Sequence, residues 1–394
     1  MAAAPTGSPV LGWAQARERA RRAGLRALPP VGLPLAETLG RTLAEPLAAL
    51  TDLPAFDTSA MDGWAVAGPG PWRVAGRVLA GRAEASALAD GAAVEIATGA
   101  QLPSGATAVL RREHGRTDGT LLHACGPGPV TPGQDVRPRG QECRRGEELL
   151  PAGTPVGPVV LGLAAACGHD RLAVRRPPVV QLLVLGDELL ACGVPGEGLV
   201  RDALGPLLPP WLRAAGAEVA EVRCVRDDFG LLRDALRHCD ADLVLTTGGT
   251  AAGPVDFLHR ALAEAGARLL VDGVAVRPGH PMLLAELPGG RHLVGLPGNP
   301  LAAVAGMVTL ALPLLHALSG RPAAGPAPAR AAVALPGHPV DTRLQPVRRT
   351  VDGVVPLAFD GPAMLRGLAR AEALAVLPPG GVAAGEPVEL VEAP

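Results

Sequence analysis

Lysine and tyrosine are absent from this 394-residue chain, and aromatic residues of all kinds make up only 2% of it. All 36 basic side chains are therefore arginines, which present a planar fork of donors where lysine presents a mobile point charge. They balance 38 acidic residues to a formal net charge of −2. This balance, with so few rings on which bases could stack, argues against nucleic-acid binding by the chain as a whole.

Disulfide and metal-site patterns are missing as well. The six cysteines are spread along the chain, with no Cys-x-x-Cys pair and no histidines at metal-ligand spacing. We interpret them as reduced, mostly buried thiols of a cytoplasmic protein. The N-terminus has no apolar core of signal-peptide type, and no apolar run has the length that spans a bilayer. We therefore expect a soluble protein with no membrane partner.

At 394 residues the chain exceeds what one compact core holds, and a hydrophobic content of 48% is enough for packed interiors, so we expect a multidomain α/β protein. Changes in the predicted helix and strand content along the chain indicate four domains. These are an N-terminal helical and linker domain (1–53 plus 133–176), an inserted β-rich domain (54–132), a doubly wound α/β domain (177–324) and a small C-terminal β-barrel (325–394).

Local patterns support this division. In the first domain we predict one helix after Ser8-Pro9 and a second in "PLAETLGRTLAEPLAAL". In the inserted domain, short β-prone pieces alternate with glycine-rich turns, and "TDGT" is typical of a hairpin tip. In the last domain, "VRRTVDGVVPL" carries an Asp-Gly hairpin signal.

The third domain alternates strands and helices. The pieces "VVQLLVLG", "AEVAEVRCV", "ADLVLTTGG" and "ARLLVDGVAV" read as strands, with helices between them and a closing helix after "GLPGNP". Such repeats predict a parallel sheet wrapped by helices. Ligands of these sheets bind beyond the carboxyl ends of the strands.

One of these strands ends in Gly248-Gly249, where missing side chains let backbone amides approach a ligand. The helix that follows points its positive N-terminus at the same spot, with Asp256 in its first turn. Hydroxyls of Thr246, Thr247 and Thr250 add donors, so this stretch predicts an anion pocket. The alternative is a tight strand-to-helix turn whose carboxylate only stabilises the helix.

Three further loops fall at the same predicted edge: "LGDEL" with Asp187 and Glu188, "RPGHP" and "GLPGNP". Glycines, prolines and acidic groups thus converge on one side of one sheet. Two carboxylates, Glu188 and Asp256, beside an anion pocket are what Mg²⁺ bridging phosphate oxygens requires.

Several motifs give the chain a family resemblance along nearly its whole length. They are "PAFDTSAMDGWAV" (54–66), "IATGAQLPSGATAVL" (96–110), "DVRPRGQE" (135–142), "GDEL" (186–189), "TTGGTAAGPVDF" (246–257), "RPGHP" (277–281) and "LPGNP" (296–300). In order and spacing they resemble the molybdopterin molybdenumtransferase family, MoeA, which includes the gephyrin E domain. The resemblance implies an elongated, L-shaped, four-domain subunit whose third domain binds molybdopterin.

It also implies a reaction. Adenylylated molybdopterin and molybdate enter, molybdenum is inserted at the dithiolene, the phosphoanhydride is cleaved with Mg²⁺, and AMP leaves. By motif, the implied catalytic residues are Asp62, Thr98, Glu142, Glu188 and Asp256, of which Glu188 and Asp256 hold the metal. The implied pterin- and oxyanion-binding residues are Thr247, Gly248, Gly249, Thr250, Gly253, Arg277, His280, Pro297, Gly298, Asn299 and Pro300.

The family works as a homodimer, so Asp62 and Thr98 are expected to reach the pocket from the partner subunit. Other molybdenum-cofactor enzymes are further candidate partners. Each of these residues also has a simpler interpretation. Asp62 before Gly63 can shape a turn, Thr98 can cap a loop, and Glu142 can be a solvated charge in an arginine-rich strip.

The chain departs from the family pattern at its anion site. Arg277 and His280 stand where the family has two lysines, and Ala251 replaces a serine. Ala203-Leu204 replaces a Ser-Asn pair, and Pro362-Ala363 a serine pair. Two hypotheses follow: an active enzyme with an arginine-adapted pocket, or a divergent paralogue that binds molybdopterin or partner enzymes with little insertion. An unrelated nucleotide-binding protein is disfavoured because Walker and dinucleotide fingerprints are missing.

Overall fold

A six-stranded mixed sheet organises the third domain. The computed structural model describes residues 10–79, 81, 87–250, 257–322 and 325–394. The sheet contains β1 (Val179–Leu185), β2 (Glu218–Val225), β3 (Leu243–Thr247), β4 (Arg268–Asp272), β5 (Leu283–Glu286) and β6 (His292–Leu296). Their order is β2-β1-β3-β6-β5-β4.

The prediction of a parallel sheet is correct for four of its six strands. Strands β2, β1, β3 and β6 are mutually parallel, whereas β5 runs antiparallel to both β6 and β4. The run "MLLAELPGGRHLVGL" contains the β5–β6 hairpin that the sequence analysis missed. Gly289 and Gly290 adopt φ of 84° and 80°, which lets the chain reverse over a short turn.

Helices cover both faces of the sheet, which confirms the doubly wound arrangement. They are Leu204–Ala214, Phe229–Arg237, Leu258–Glu264 and the long helix Pro300–Leu318, which contains a π-helical turn at Met307–Ala311. Alternate strand residues enter two separate cores. Leu182 and Leu245 pack with the first and last of these helices, while Leu183 and Val244 pack with the other two.

The helix Pro300–Leu318 corrects one expectation from the sequence. Its 19 residues have a mean hydropathy of 2.0, so by length and composition it could cross a membrane. Glycine, proline and threonine interrupt this run, which hid it in the sequence. Length and composition alone are weak evidence for a span, and 83% of the apolar window is buried inside the protein, as in a core helix.

The N-terminal domain has one of its two predicted helices. Trp13–Ala23 is helical and packs on the long helix, with the Trp13 indole donating to the Thr309 hydroxyl at 3.1 Å. The predicted helix in residues 34–50 is wrong. Only a 3₁₀ turn, Leu35–Glu37, forms there, because Gly40 adopts φ of 77° and the chain then extends.

Short strand pairs build the rest of this domain, so it is a mixed unit and not a helical frame. Pro30–Pro34 pairs with Arg171–Arg175, and Leu47–Ala48 pairs with Glu148–Leu150. The helix Pro158–Ala166 packs beside them. A further pair, Thr58–Ser59 with Val136–Arg137, leads into the inserted domain.

The inserted domain is β-rich, as predicted, and forms a six-stranded sheet. In spatial order its strands are Ala108–Arg111, Gly63–Val66, Ala92–Ile96, Trp72–Val78, Leu121–Ala124 and Gly115–Thr117. The last two form the hairpin that "TDGT" indicated. A 3₁₀ turn, Arg112–His114, precedes that hairpin.

The C-terminal domain is the predicted small barrel. Its five strands are Ala327–Arg330, Thr342–Thr350, Gly353–Pro356, Ala373–Leu377 and Pro387–Glu392. In spatial order the first of these strands is Gly353–Pro356 and the last is Ala327–Arg330. A bridge between Ala331 and Val354 connects these two outer strands and closes the barrel. A minor pair, Leu335–Pro336 with Gly381–Val382, and a 3₁₀ turn, Leu368–Arg370, complete it.

The predicted strand "ARLLVDGVAV" divides between two sheets. Gly273 adopts φ of 84° and turns the chain, so that β4 stays in the third domain. Val274–Arg277 leaves that domain's sheet and pairs with Leu11–Gly12 and with Thr342–Thr350 of the barrel. The loop "RPGHP" therefore follows a strand of the barrel sheet.

The cysteines are free, and half of them are buried. Cys143, Cys167 and Cys239 are buried, whereas the other three are exposed. Burial and the neighbouring Cys143 thiol raise the pKa of Cys167 to about 11. This thiol is therefore protonated and unreactive at neutral pH.

Leu245→Ala tests the packing of the central sheet. Leu245 is fully buried in β3, so removing its side chain should lower the free energy of unfolding of its domain by about 2–5 kcal/mol. Urea unfolding followed by circular dichroism measures this loss. The control Val194→Ala, at a side chain that is 92% exposed, should change it by less than about 0.5 kcal/mol. Equal midpoints for both variants would contradict the described packing.

Candidate functional site

A cavity of about 650 Å³ lies at the carboxyl ends of β1, β2, β3 and β6. Residues 363 and 365 of the C-terminal domain form part of its wall. Its lining residues are Leu185, Gly186, Glu188, Leu189, Val200, Arg201, Asp202, Ala203, Leu204, Asp227, Thr247, Gly248, Gly249, Gly298, Asn299, Pro300, Ala363 and Leu365. This position agrees with the rule for ligand sites in α/β sheets.

Two glycine loops meet on the floor of the cavity. Parallel pairing of β3 with β6 places Thr247 beside Leu296, and the Gly248 amide donates to the Leu296 carbonyl at 2.8 Å. Gly248 and Gly249 adopt φ of 86° and 68°, a region that side chains disfavour. A Cβ on Gly298 would lie 3.7 Å from the Gly248 Cα. The two loops therefore pack backbone against backbone.

Glu188 projects from the loop after β1. The loop begins at Gly186 with φ of 140°, and the Glu188 carboxylate lies over this glycine, 2.6 Å from where a Cβ would stand. Leu189–Leu190 pairs in parallel with Val200–Arg201, and the Val200 amide donates to the Glu188 carbonyl at 2.8 Å. This strand pair holds Glu188 and Arg201 at the same edge of the cavity.

The helix termini at the cavity already have acceptors. The Asp202 carboxylate accepts from the Leu204 and Gly205 amides, both at 2.9 Å, at the start of the helix Leu204–Ala214. The Pro362 carbonyl accepts from the Leu301 amide at 2.9 Å and the Ala302 amide at 3.3 Å. The backbone amides that an anion would use at these two helix N-termini therefore already donate to acceptors within the protein.

The structure brings seven of the predicted site residues into this cavity. They are Glu188, Thr247, Gly248, Gly249, Gly298, Asn299 and Pro300. Pro297 and Thr250 are buried nearby and are not among the lining residues. The Thr246 hydroxyl is buried without a hydrogen-bond partner in the described part of the chain. Ala251, Gly253 and Asp256 lie outside the described residues.

Arg277 and His280 lie apart from the cavity lining. The Arg277 guanidinium pairs with the Asp341 carboxylate of the C-terminal domain at 2.7 Å, and Asp341 is itself largely buried. The His280 ring bonds to the Val274 carbonyl at 2.8 Å. Between them, Gly279 packs against Ala302, so the loop lies beside the long helix.

Asp62, Thr98 and Glu142 lie on the surface of the first two domains, and none of them lines the cavity of its own chain. The Asp62 carboxylate accepts from the Thr98 amide at 2.7 Å and from its hydroxyl at 3.0 Å. These bonds, the amide first, hold the pKa of Asp62 below its usual range. Glu142 is exposed, and its amide donates to the Leu53 carbonyl.

The cavity also contains residues that sequence reasoning missed. Asp227 lies two positions after β2, so the rule used for the other strand ends could have found it. Arg201 and Asp202 depend on a two-residue ladder across a nine-residue loop, which leaves no periodic signal in the sequence.

The carboxylates fit part of a magnesium site. Glu188, Asp202 and Asp227 line one cavity, and Mg²⁺ prefers carboxylate oxygens. Among the described residues, however, no three Asp, Glu, His or Cys side chains stand close enough to hold a metal ion by themselves. Mg²⁺ bound here would therefore share its coordination with ligand oxygens, as it usually does in phosphate sites.

A second cavity, of about 550 Å³, lies between the helix Trp13–Ala23, the long helix and the C-terminal barrel. Glu18 on its wall pairs with Arg21 and Arg22, each at 2.7 Å. The described lining of this second cavity includes neither the glycine loops nor a strand end of the central sheet. The sheet-edge cavity is therefore the better candidate site.

Comparison with known proteins decides the family. Three family models match: the MoeA N-terminal region (domain I and II) over residues 12–168, the probable molybdopterin binding domain over 181–317, and the MoeA C-terminal region (domain IV) over 328–392. The chain belongs to the molybdopterin molybdenumtransferase (MoeA) family. The exact domain boundaries given above stay predictions.

Individual relatives agree. The chain is 35% identical to molybdopterin molybdenumtransferase 2 of Mycobacterium tuberculosis over 76% of its length and 77% of the relative's. It is 28% identical to the Staphylococcus aureus molybdopterin molybdenumtransferase over 93% and 91%. A crystal structure of the MoeA protein from Pyrococcus horikoshii covers 98% of the chain and 100% of its own, with a TM-score of 0.80 and 27% identity. These relatives support a transferase role in molybdenum cofactor biosynthesis.

Thr98→Val tests the contact that lowers the Asp62 pKa. The variant loses the hydroxyl donor and keeps the amide, so the Asp62 pKa should rise while remaining below its ordinary value. Carboxyl ¹³C NMR titration measures it. Since the folded pKa is the lower one, stabilisation by this contact is present at neutral pH and is lost as pH falls through the folded pKa. Thr117→Val, on the exposed hairpin, is the control; an unchanged Asp62 pKa in Thr98→Val would refute the contact.

Proposed function

We propose that the sheet-edge cavity binds adenylylated molybdopterin and that the chain inserts molybdate into it with Mg²⁺, releasing AMP. The observation that carries this proposal is the convergence of three carboxylates, an arginine and two glycine loops on one cavity of the molybdopterin binding domain. Its volume of about 650 Å³ is within the ordinary range of small-molecule sites.

The residues take the following roles in this proposal. Backbone at Gly248, Gly249 and Gly298 lies close against the ligand because no side chain stands in the way. The Thr247 hydroxyl and the Asn299 amide orient it by hydrogen bonds. Glu188 and Asp256 would hold Mg²⁺, which when bound would neutralise charge on phosphate oxygens. Arg277 and His280, on the neighbouring loop, are the proposed contacts for molybdate.

Asp62, Thr98 and Glu142 act from the partner subunit of a homodimer. The reason is their placement: they are exposed on domains that do not contribute to the cavity of their own chain. The Asp62 carboxylate is fixed by two hydrogen bonds from Thr98, which suits a residue that orients water or substrate. We place the reaction in the cytoplasm as part of the same proposal.

One observation favours a second function, a divergent paralogue that binds molybdopterin or partner enzymes with little insertion. Arg277 replaces a family lysine, and its charge is already matched by Asp341 at 2.7 Å. The His280 ring donates to the Val274 carbonyl, and it lacks the fixed charge of a lysine. Both changes weaken the loop as an oxyanion site.

AMP release separates the two functions. With adenylylated molybdopterin, molybdate and Mg²⁺, the wild-type chain should release AMP above the protein-free background. Glu188→Gln should slow release by about tenfold to a hundredfold, since a lost charged contact is worth about 1.5–3 kcal/mol.

Glu218→Gln is the matched control, because this exposed carboxylate lies at the opposite end of the sheet, at the start of β2. It should release AMP at the wild-type rate. Wild-type protein that binds the pterin without releasing AMP would reject the insertion reaction and favour the paralogue. Asp256→Ala with an unchanged rate would remove Asp256 from the metal site.

A further inference from the structure

The charge balance of the sheet-edge cavity raises the question of what holds an anion there. Its lining has three carboxylates, Glu188, Asp202 and Asp227, and Arg201 is its single cationic side chain among the described residues. A phosphate ligand carries further negative charge. Positive charge in this cavity must therefore come from Arg201, from a bound metal ion or from backbone amides.

The amides at the two helix starts and the Gly248 amide already donate to acceptors within the fold. At the start of the helix Leu204–Ala214, two amides donate to Asp202 at 2.9 Å. At the start of the long helix, two amides donate to the Pro362 carbonyl. The Gly248 amide donates to the Leu296 carbonyl. A ligand that used any of these donors would have to displace an acceptor supplied by the fold.

Arg201, by contrast, is available. Its side chain is exposed at the rim, and it forms no salt bridge with any carboxylate in the described ranges of the chain. The ladder Leu189–Leu190 with Val200–Arg201 fixes its backbone beside Glu188. Arg277, the other arginine expected to bind an anion, is paired with Asp341 and does not line the cavity.

We propose that Arg201 binds the phosphate oxygens of the ligand in this cavity and is the residue that fixes the phosphoanhydride linkage of the adenylylated pterin. A guanidinium suits this role, because its planar fork can donate two parallel hydrogen bonds to one phosphate group. The inference rests on the proposed function for the identity of the ligand. The contact between Arg201 and a phosphate group can be tested without the reaction.

Inorganic pyrophosphate is the probe, titrated by calorimetry into the full-length protein in the presence of Mg²⁺. We expect Arg201→Gln to weaken binding at least about tenfold relative to wild type. Arg201→Lys keeps the charge but loses the fork, so its affinity should fall between those of the wild type and Arg201→Gln. Arg213→Gln is the control, since Arg213 lies in the last turn of the helix whose start borders the cavity.

The possible results test the role of Arg201 independently of whether the protein catalyses the transferase reaction. Loss of pyrophosphate binding in Arg201→Gln, with wild-type circular dichroism and unchanged binding in Arg213→Gln, supports the role of Arg201 even if the wild type releases no AMP. Affinity of Arg201→Gln within about twofold of wild type overturns it, even if the wild type is an active transferase. Wild-type protein that does not bind pyrophosphate also overturns it.

Discussion

The parallel pairing of β3 with β6 is the constraint on which the site depends. It places the Gly248-Gly249 loop against the loop containing Gly298, through the bond from the Gly248 amide to the Leu296 carbonyl. The positive φ angles of Gly248 and Gly249 disfavour side chains at these two positions, and a Cβ on Gly298 would lie in van der Waals contact with Gly248. The other lining residues, among them Glu188, Arg201 and Ala363, surround these two loops.

A second constraint is electrostatic. The fold supplies its own acceptors to the helix starts that border the cavity, with Asp202 serving one helix and the Pro362 carbonyl the other. The C-terminal domain therefore takes part in the site twice, as a cap on the long helix and as a wall at Ala363 and Leu365. Because the amides at these helix starts already have acceptors within the fold, binding of an anion here depends on charged side chains.

The sequence predicted what local pattern determines. Periodicity and turn chemistry found β1 to β4, the hairpin at "TDGT", the barrel and the glycine loops. They failed where distant pairing decides the structure. Residues 34–50 have helical spacing but extend, because Leu43 bridges Val174 far along the chain. "ARLLVDGVAV" looks like one strand but serves two sheets, and Arg201 reaches the cavity through a ladder that periodicity cannot reveal.

We expect the ligand to bind in the sheet-edge cavity and not in the cavity beside the helix Trp13–Ala23. A crystal structure of the protein soaked with AMP tests it most directly. We expect nucleotide density between the Gly248-Gly249 loop and Asn299, with the phosphate toward Arg201. Density in the cavity of about 550 Å³ lined by Trp13 and Arg321, with the sheet edge empty, would contradict it.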